Sequence, residues 1–408
     1  MAQTKVLFAS LLGLAAIPAL ACAQQSPYPI LNGQLQLNDV FTTLNVEMAN
    51  GHGIASTGAA AGNHLAARGV ERDLSVTSQQ KLSGYVGASS VITAGAATDV
   101  TLATAVASGN IVQVEACCAT TTNAVTQTVG QEQAINASSL ILVGSADQVV
   151  ATAQSTANNF ASSTTDGETS GQIRHFNGSA INANAVVGGG QNNASLSSNA
   201  VTAANSARWD GETATIYANT RQRNEGAVSS NSAVDVQSGT NVTSAAAGAG
   251  NLAEVQNQWG YAQLKASQSN DHKVAATSSV YLGDWGGFAV SGANAIGNSA
   301  LLSNVGSDAT MDVGQSNTGQ IGSLGFLEGN AARGGVGIVA SSATGNAITG
   351  YACASCGSAG VKVEGHANQY NSGGVSAGGY VSVGSSGPMT ASASAIGNSA
   401  TFAAQKGL

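Results

Sequence analysis

Four cysteines outside the amino-terminal segment are the first residues whose type and spacing could do chemistry: Cys117, Cys118, Cys353 and Cys356. Two adjacent thiols and one Cys-x-x-Cys could form disulfides, exchange them or bind zinc. The Cys-x-x-Cys lacks the helix start that lowers a thiol pKa in redox motifs. The Cys117-Cys118 pair has the wrong separation for a zinc finger. Pairing local to each site, or between chains, is the expectation, with Cys353 to Cys356 the possible local disulfide in an oxidising compartment. "GVGIVA", Gly335 to Ala340, fits Gly-x-Gly-x-x-Ala, but "SSATGN" follows where a dinucleotide site needs a helix. The "DGET" stretches at Asp166 and Asp210 hold carboxylates for calcium or glycoside chemistry, yet Asp-Gly is a turn dipeptide and they read as turns. The five His residues are dispersed, and neither His-Glu-x-x-His nor Gly-x-Ser-x-Gly occurs. Trp209, Trp259 and Trp285 could stack on sugar rings if exposed, though filling coil ends or packing between loops suits them better. No catalytic set, cofactor site or metal site is expected.

The elements that would position such residues are unusual. Of 408 residues only 8% are charged and 4% aromatic, while Gly supplies 52 and the apolar fraction is 43%. That apolar content argues against disorder, and the small size of the apolar residues argues against a thick globular core. Lys5, an apolar run from Val6 to Leu20 and Ala21-Cys22-Ala23 read as a secretory signal peptide spanning 1–23. Cleavage before Gln24 is favoured; Ala21 would also suit lipidation of Cys22, but Ala19-Leu20 does not. No later stretch reaches the length of a transmembrane helix. Removing 1–23 takes away one Lys and no acid, so 12 basic against 21 acidic residues leave a net charge of −9. Nucleic acid is thereby excluded as a partner, because phosphate binding needs clustered Lys and Arg.

The strongest pattern is a repeat. Asn63, Asn110, Asn158, Asn205, Asn251, Asn298, Asn346 and Asn398 are separated by 47, 48, 47, 46, 47, 48 and 52 residues, and six of the eight follow Gly. Five and three residues before each stand only Gly, Ala, Ser or Thr, from Gly58 and Ala60 to Ala393 and Ala395. These offsets share one face of a strand, and so small a face admits another backbone layer closely. At plus 17 and plus 19 the four central repeats carry His175/Asn177, Gln222/Asn224, Gln268/Asn270 and Gln315/Asn317. Stacked amides of this kind hydrogen-bond along a ladder, with His175 standing in for Gln. Outside the signal segment Pro occurs only at 27, 29 and 388, as continuous strand pairing demands.

The expected fold is therefore all-β, a repetitive β-solenoid or β-roll of eight repeats of about 47 residues. An eight-bladed β-propeller is the alternative, disfavoured because blades need larger apolar side chains. The domain reading is a lead segment at 24–50 and a β-repeat domain at 51–408. The number of coils per repeat stays open, as does monomer against fibre. With one coil per repeat, Cys117 and Cys353 lie about 24 Å apart, beyond disulfide reach.

The stretches "FAVSGANAIGNSALLSN" (288–304), "MDVGQSNTGQ" (311–320) and "SAIGNSATFAAQ" (394–405) resemble curlin-type repeats of secreted amyloid-like β-rolls, although the period here is about twice as long. Over most of its length the Ala/Gly/Ser/Asn-rich chain, headed by a signal peptide, resembles the holdfast anchor protein D family of stalked alphaproteobacteria. That resemblance implies a non-enzymatic, exported protein at the outer membrane and cell surface. Its implied partners are an extracellular polysaccharide, which it helps tether, and other holdfast anchor proteins, a curlin-like subunit and a secretion lipoprotein; self-assembly is a further implication. Two alternatives compete. A right-handed β-helix enzyme acting on polysaccharide would need charged residues clustered on adjacent coils, and none stand in register; a secreted amyloid-like fibre subunit is the other. An outer-membrane β-barrel is disfavoured by the scarcity of aromatics.

Overall fold

The computed structural model describes residues 28–405 apart from 132, 192, 333–334, 355–359 and 386. The signal peptide, Cys22 and Cys356 lie outside the described residues, so the Cys353–Cys356 bridge does too. Among the described residues there are only strands and turns.

Each repeat makes one coil of a solenoid. Eight short strands, β1 (Tyr28–Gln36), β3 (Leu74–Leu82), β5 (Thr120–Val129), β7 (Glu168–Asn177), β10 (Thr215–Asn224), β12 (Ala262–Asn270), β15 (Ala309–Asn317) and β18 (Val363–Asn371), form one sheet, paired in sequence order. The rest of each coil forms a second sheet. It comprises β2 (Val40–Val70), β4 (Val86–Cys117), β6 (Ala134–Thr165), β8 (Ala180–Gly189), β9 (Asn193–Glu212), β11 (Val228–Gln258), β13 (Val274–Trp285), β14 (Phe288–Val305), β16 (Ile321–Ala332), β17 (Val336–Cys353), β19 (Val375–Ser385) and β20 (Met389–Gln405). All pairings are parallel, which rules out a propeller of antiparallel blades. Alternation of Val, Ile, Ala and Thr with polar residues fits a pleated, half-buried strand. Burial alternates accordingly; β10 reads intermediate, buried, exposed, buried and so on to buried Asn224.

The long strands bend twice. In β4 the first bend falls between Ala97 and Val100, where the register shifts, and in four later coils the same bend divides the strand in two. The second bend is at the residue before the marker Asn, since pairing runs Ser108↔Thr156 and resumes at Asn110↔Asn158. A coil thus has a short strand and three legs, which in the second coil are 74–82, 86–97, 100–108 and 110–117.

Two cores result. One lies between the first and second legs, with Ile92, Ile141, Val149 and Ala153 fully buried. The other lies between the third leg and the short strand, with Val112, Phe160, Trp209 and Leu264. The small residues before each marker line the first core: Ala105, Ala107, Ala153 and Ala295 are 0% exposed. From this same row Ser155 Oγ donates across the core to the backbone oxygen of Asn182. The facing sheet comes within hydrogen-bond distance because nothing larger than Thr stands at these positions.

Among the described residues the first coil runs from Tyr28. β1 and the first part of β2, drawn from the stretch read as a lead segment, pair with the next coil at the same spacing as the others, Tyr28↔Leu74 and Val40↔Val86.

Candidate functional site

The eight marker Asn side chains point inward at the second bend, on the seam between the two cores. Asn63 Nδ2 donates to Asn110 Oδ1 at 2.8 Å, and the series continues through Asn158, Asn205, Asn251, Asn298 and Asn346 to Asn398, every bond between 2.7 and 2.8 Å. In the seven amides from Asn63 to Asn346 the second hydrogen goes to a backbone oxygen of the short strand, as from Asn110 to Thr128 O and from Asn251 to Ser269 O. Asn110, Asn158, Asn205, Asn251, Asn298 and Asn346 are 0% exposed. Burying amides so deeply is tolerable only because their donors are spent this way.

The short strands supply two more series. Asn177, Asn224, Asn270, Asn317 and Asn371 are joined by four bonds of 2.7–2.8 Å, the first four residues donating toward the next coil. The Gln series runs the opposite way: Gln268 donates to Gln222, Gln315 to Gln268 and Gln369 to Gln315, at 2.7–2.9 Å. Each Gln also donates across the coil, Gln268 to Ser299 O and Gln315 to Ala347 O. Opposed hydrogen-bond chains offset one another's side-chain dipoles, while bonds within each chain polarise their neighbours favourably.

The Gln series extends to members with no Asn two residues later. Gln80 donates to Gln34 and Gln127 to Gln80, while Leu82 and Val129 stand in register where Asn177 follows. Gln80 and Gln127 stand at plus 17 from Asn63 and Asn110, so that offset alone would have found them. Gln369 and Asn371 are displaced by the lengthened last interval.

His175 sits in register between Gln127 and Gln222 but carries no rung. Both ring nitrogens are buried without a hydrogen-bond partner, as is Gln127 Oε1. Burial lowers its pKa from 6.5 to about 3, so the ring is neutral. A further series eluded the sequence. Ser291 donates to Ser278, Ser278 to Ser244, Ser244 to Ser232 and Ser232 to Ser198, zigzagging through the first core at 2.8–2.9 Å.

The other residues singled out are scattered. Cys117 Sγ lies 2.8 Å from Cys118 Sγ at the coil edge, and this contact, foremost, raises the Cys118 thiol to about 11. Cys353 is the equivalent of Cys117 five coils on and far from it. Trp209 and Trp285 are buried, Trp209 against Phe160, whereas Trp259 is half exposed at a turn with φ of 62°. Asp166 and Thr213 take positive φ at coil turns. Gly337 to Ala340 of the Gly-rich match lie in β17. Among the described residues no group of three or more His, Cys, Asp or Glu could hold a metal ion.

The arrangement is that of a structural repeat protein: an all-parallel β-solenoid stiffened by buried amide ladders. A family model described as holdfast attachment protein D matches residues 48–320, well over half of the chain. The chain belongs to the holdfast attachment protein D (HfaD) family, whose role is attachment at the cell surface. No curated protein and no solved structure matches it.

Proposed function

We propose that this chain is exported and acts as a non-enzymatic tether, holding an adhesive polysaccharide to the outer membrane alongside other holdfast anchor proteins. The observation that carries the reading is the uninterrupted Asn ladder in an attachment-family chain, since seven consecutive amide bonds join all eight coils into one cooperative rod. Stability in such a stack is the sum of coil and interface terms, and the ladder strengthens every interface. Fractionation with surface proteolysis, combined with a deletion strain, tests it. Protease-sensitive chain in the outer-membrane fraction and cells that shed their adhesive are expected; a cytoplasmic chain or unchanged retention overturns it.

Self-assembly is a second reading, favoured by the coil ends. Leu31 and Phe41 are 79% and 72% exposed on the first coil, and Tyr370 and Tyr380 are exposed on the last. Asn398, the last member of the ladder, accepts from Asn346 and is exposed on the final coil. An open parallel edge of this kind is a template for another chain. Head-to-tail stacking of copies should make light scattering rise with concentration, and Leu31→Lys should suppress that rise; a monomer at all concentrations refutes it.

A further inference from the structure

A shallow trough of about 970 Å³ crosses the outer face of six successive coils near the first bend. One wall is a file of paired residues, one from each coil: Thr93, Leu142, Gly188, Asp235, Tyr281 and Glu328. Glycines form much of the adjoining file. A Cβ would stand 2.3 Å from Gly95 O at Gly144, 2.5 Å from Gly144 O at Gly190, and 2.2 Å from Gln237 O at Gly283. Backbone of the preceding coil comes close at these positions and glycine stands there, whereas Gln237 and Asn330 bring amide side chains to the same file of the trough.

The trough's polarity is one-sided. Asp235, Asp284 and Glu328 line it, and among the described residues no Lys, Arg or His does. Among the described residues neither Asp235 nor Glu328 has an ion-pair partner. Between these two, on the intervening coil, Tyr281 is 40% exposed. Its ring offers a flat apolar face beside hydrogen-bonding groups, which suits a pyranose. Carboxylates two coils apart are separated by about 9.6 Å from the strand spacing, close to the advance of a disaccharide in an extended pyranose chain. Two ammonium groups on alternate units could therefore meet Asp235 and Glu328 while the unit between them covers Tyr281.

We propose that this trough binds a linear amine-bearing polysaccharide lying along the solenoid axis. The proposal rests on the attachment reading above and names the chemistry of what is held. Binding is steered by charge and weakened by salt, because the carboxylates are exposed.

The test is titration of the purified full-length mature chain with fluorescent glucosamine oligomers and with N-acetylglucosamine oligomers of the same length. The glucosamine oligomer should bind in a salt-sensitive way, and the acetylated one far less. D235N/E328Q should weaken binding roughly fivefold or more, Y281A should weaken it too, and Y281F should keep it, all with unchanged melting. Failure of the glucosamine oligomer to bind, equal binding of both oligomers, or full binding by D235N/E328Q overturns the trough. Cells separate this from the tether reading. A deletion that sheds adhesive while D235N/E328Q retains it refutes the trough and leaves the tether standing. A deletion that retains adhesive refutes the tether, and the oligomer titration still decides the trough.

Discussion

Replacing His175 with Gln should stabilise the solenoid and remove part of its acid sensitivity. The imidazole interrupts the Gln series with two buried nitrogens that bond to nothing and strands Gln127 Oε1 beside it. A Gln at 175 would donate to Gln127 Oε1, accept from Gln222, and reach Ser206 O, the register equivalent of the oxygens that accept from Gln127 and Gln222. Three bonds at about 1 kcal/mol each give roughly 2–4 kcal/mol at pH 7. The pH term adds to this. The folded pKa of His175 lies below its ordinary 6.5, at about 3, so only the unfolded chain takes up the proton readily. Stability from this group is complete above pH 6.5 and is lost as pH falls toward 3. Between pH 6.5 and 4 the loss amounts to about 3 kcal/mol. Urea unfolding followed by the fluorescence of buried Trp209 and Trp285, at pH 7 and pH 4, measures both terms. His175→Gln should raise the midpoint at pH 7 and widen its advantage at pH 4; carboxylates common to both chains cancel in the difference. An unchanged midpoint at pH 7, or an equal difference at both pH values, refutes the reasoning.

Other expectations follow from the same geometry. Asn251 donates two bonds and accepts one from Asn205, so Asn251→Ala should cost about 3 kcal/mol, read as a lowered urea midpoint. Ala153 is 0% exposed in the first core, and Ala153→Leu should overpack that core by about 1–3 kcal/mol or prevent folding, seen in circular dichroism. Cys117→Ala should return the Cys118 thiol from about 11 toward 9, so alkylation of Cys118 at pH 9, followed by mass spectrometry, should quicken.

The repeat and its ladder residues were legible because an inward amide needs the same partner on every coil, and a position fixed by its neighbours above and below recurs at the coil length. The eight marker Asn residues and the small residues before them carry that constraint openly. Gln80 and Gln127 were harder to see because Leu82 and Val129 replaced the accompanying Asn. The Ser zigzag was illegible, since its members come from different legs and alternate between offsets. His175 shows the converse: sequence placed it at a rung, but only geometry reveals that an imidazole cannot span the distance to both neighbours. The trough lies at a bend where glycine stands on some coils and Gln237 and Asn330 on others, and its acids are not repeated, so no periodicity announces it.

Force spectroscopy on single attached cells tests the tether most directly. Cells lacking the chain are compared with cells displaying the wild-type chain or an Asn251→Ala/Asn298→Ala chain at matched surface levels. The account predicts failure at the junction between cell and adhesive, at low force without the chain and at intermediate force with the broken ladder. Equal rupture forces for all three, with failure elsewhere than at that junction, would contradict it.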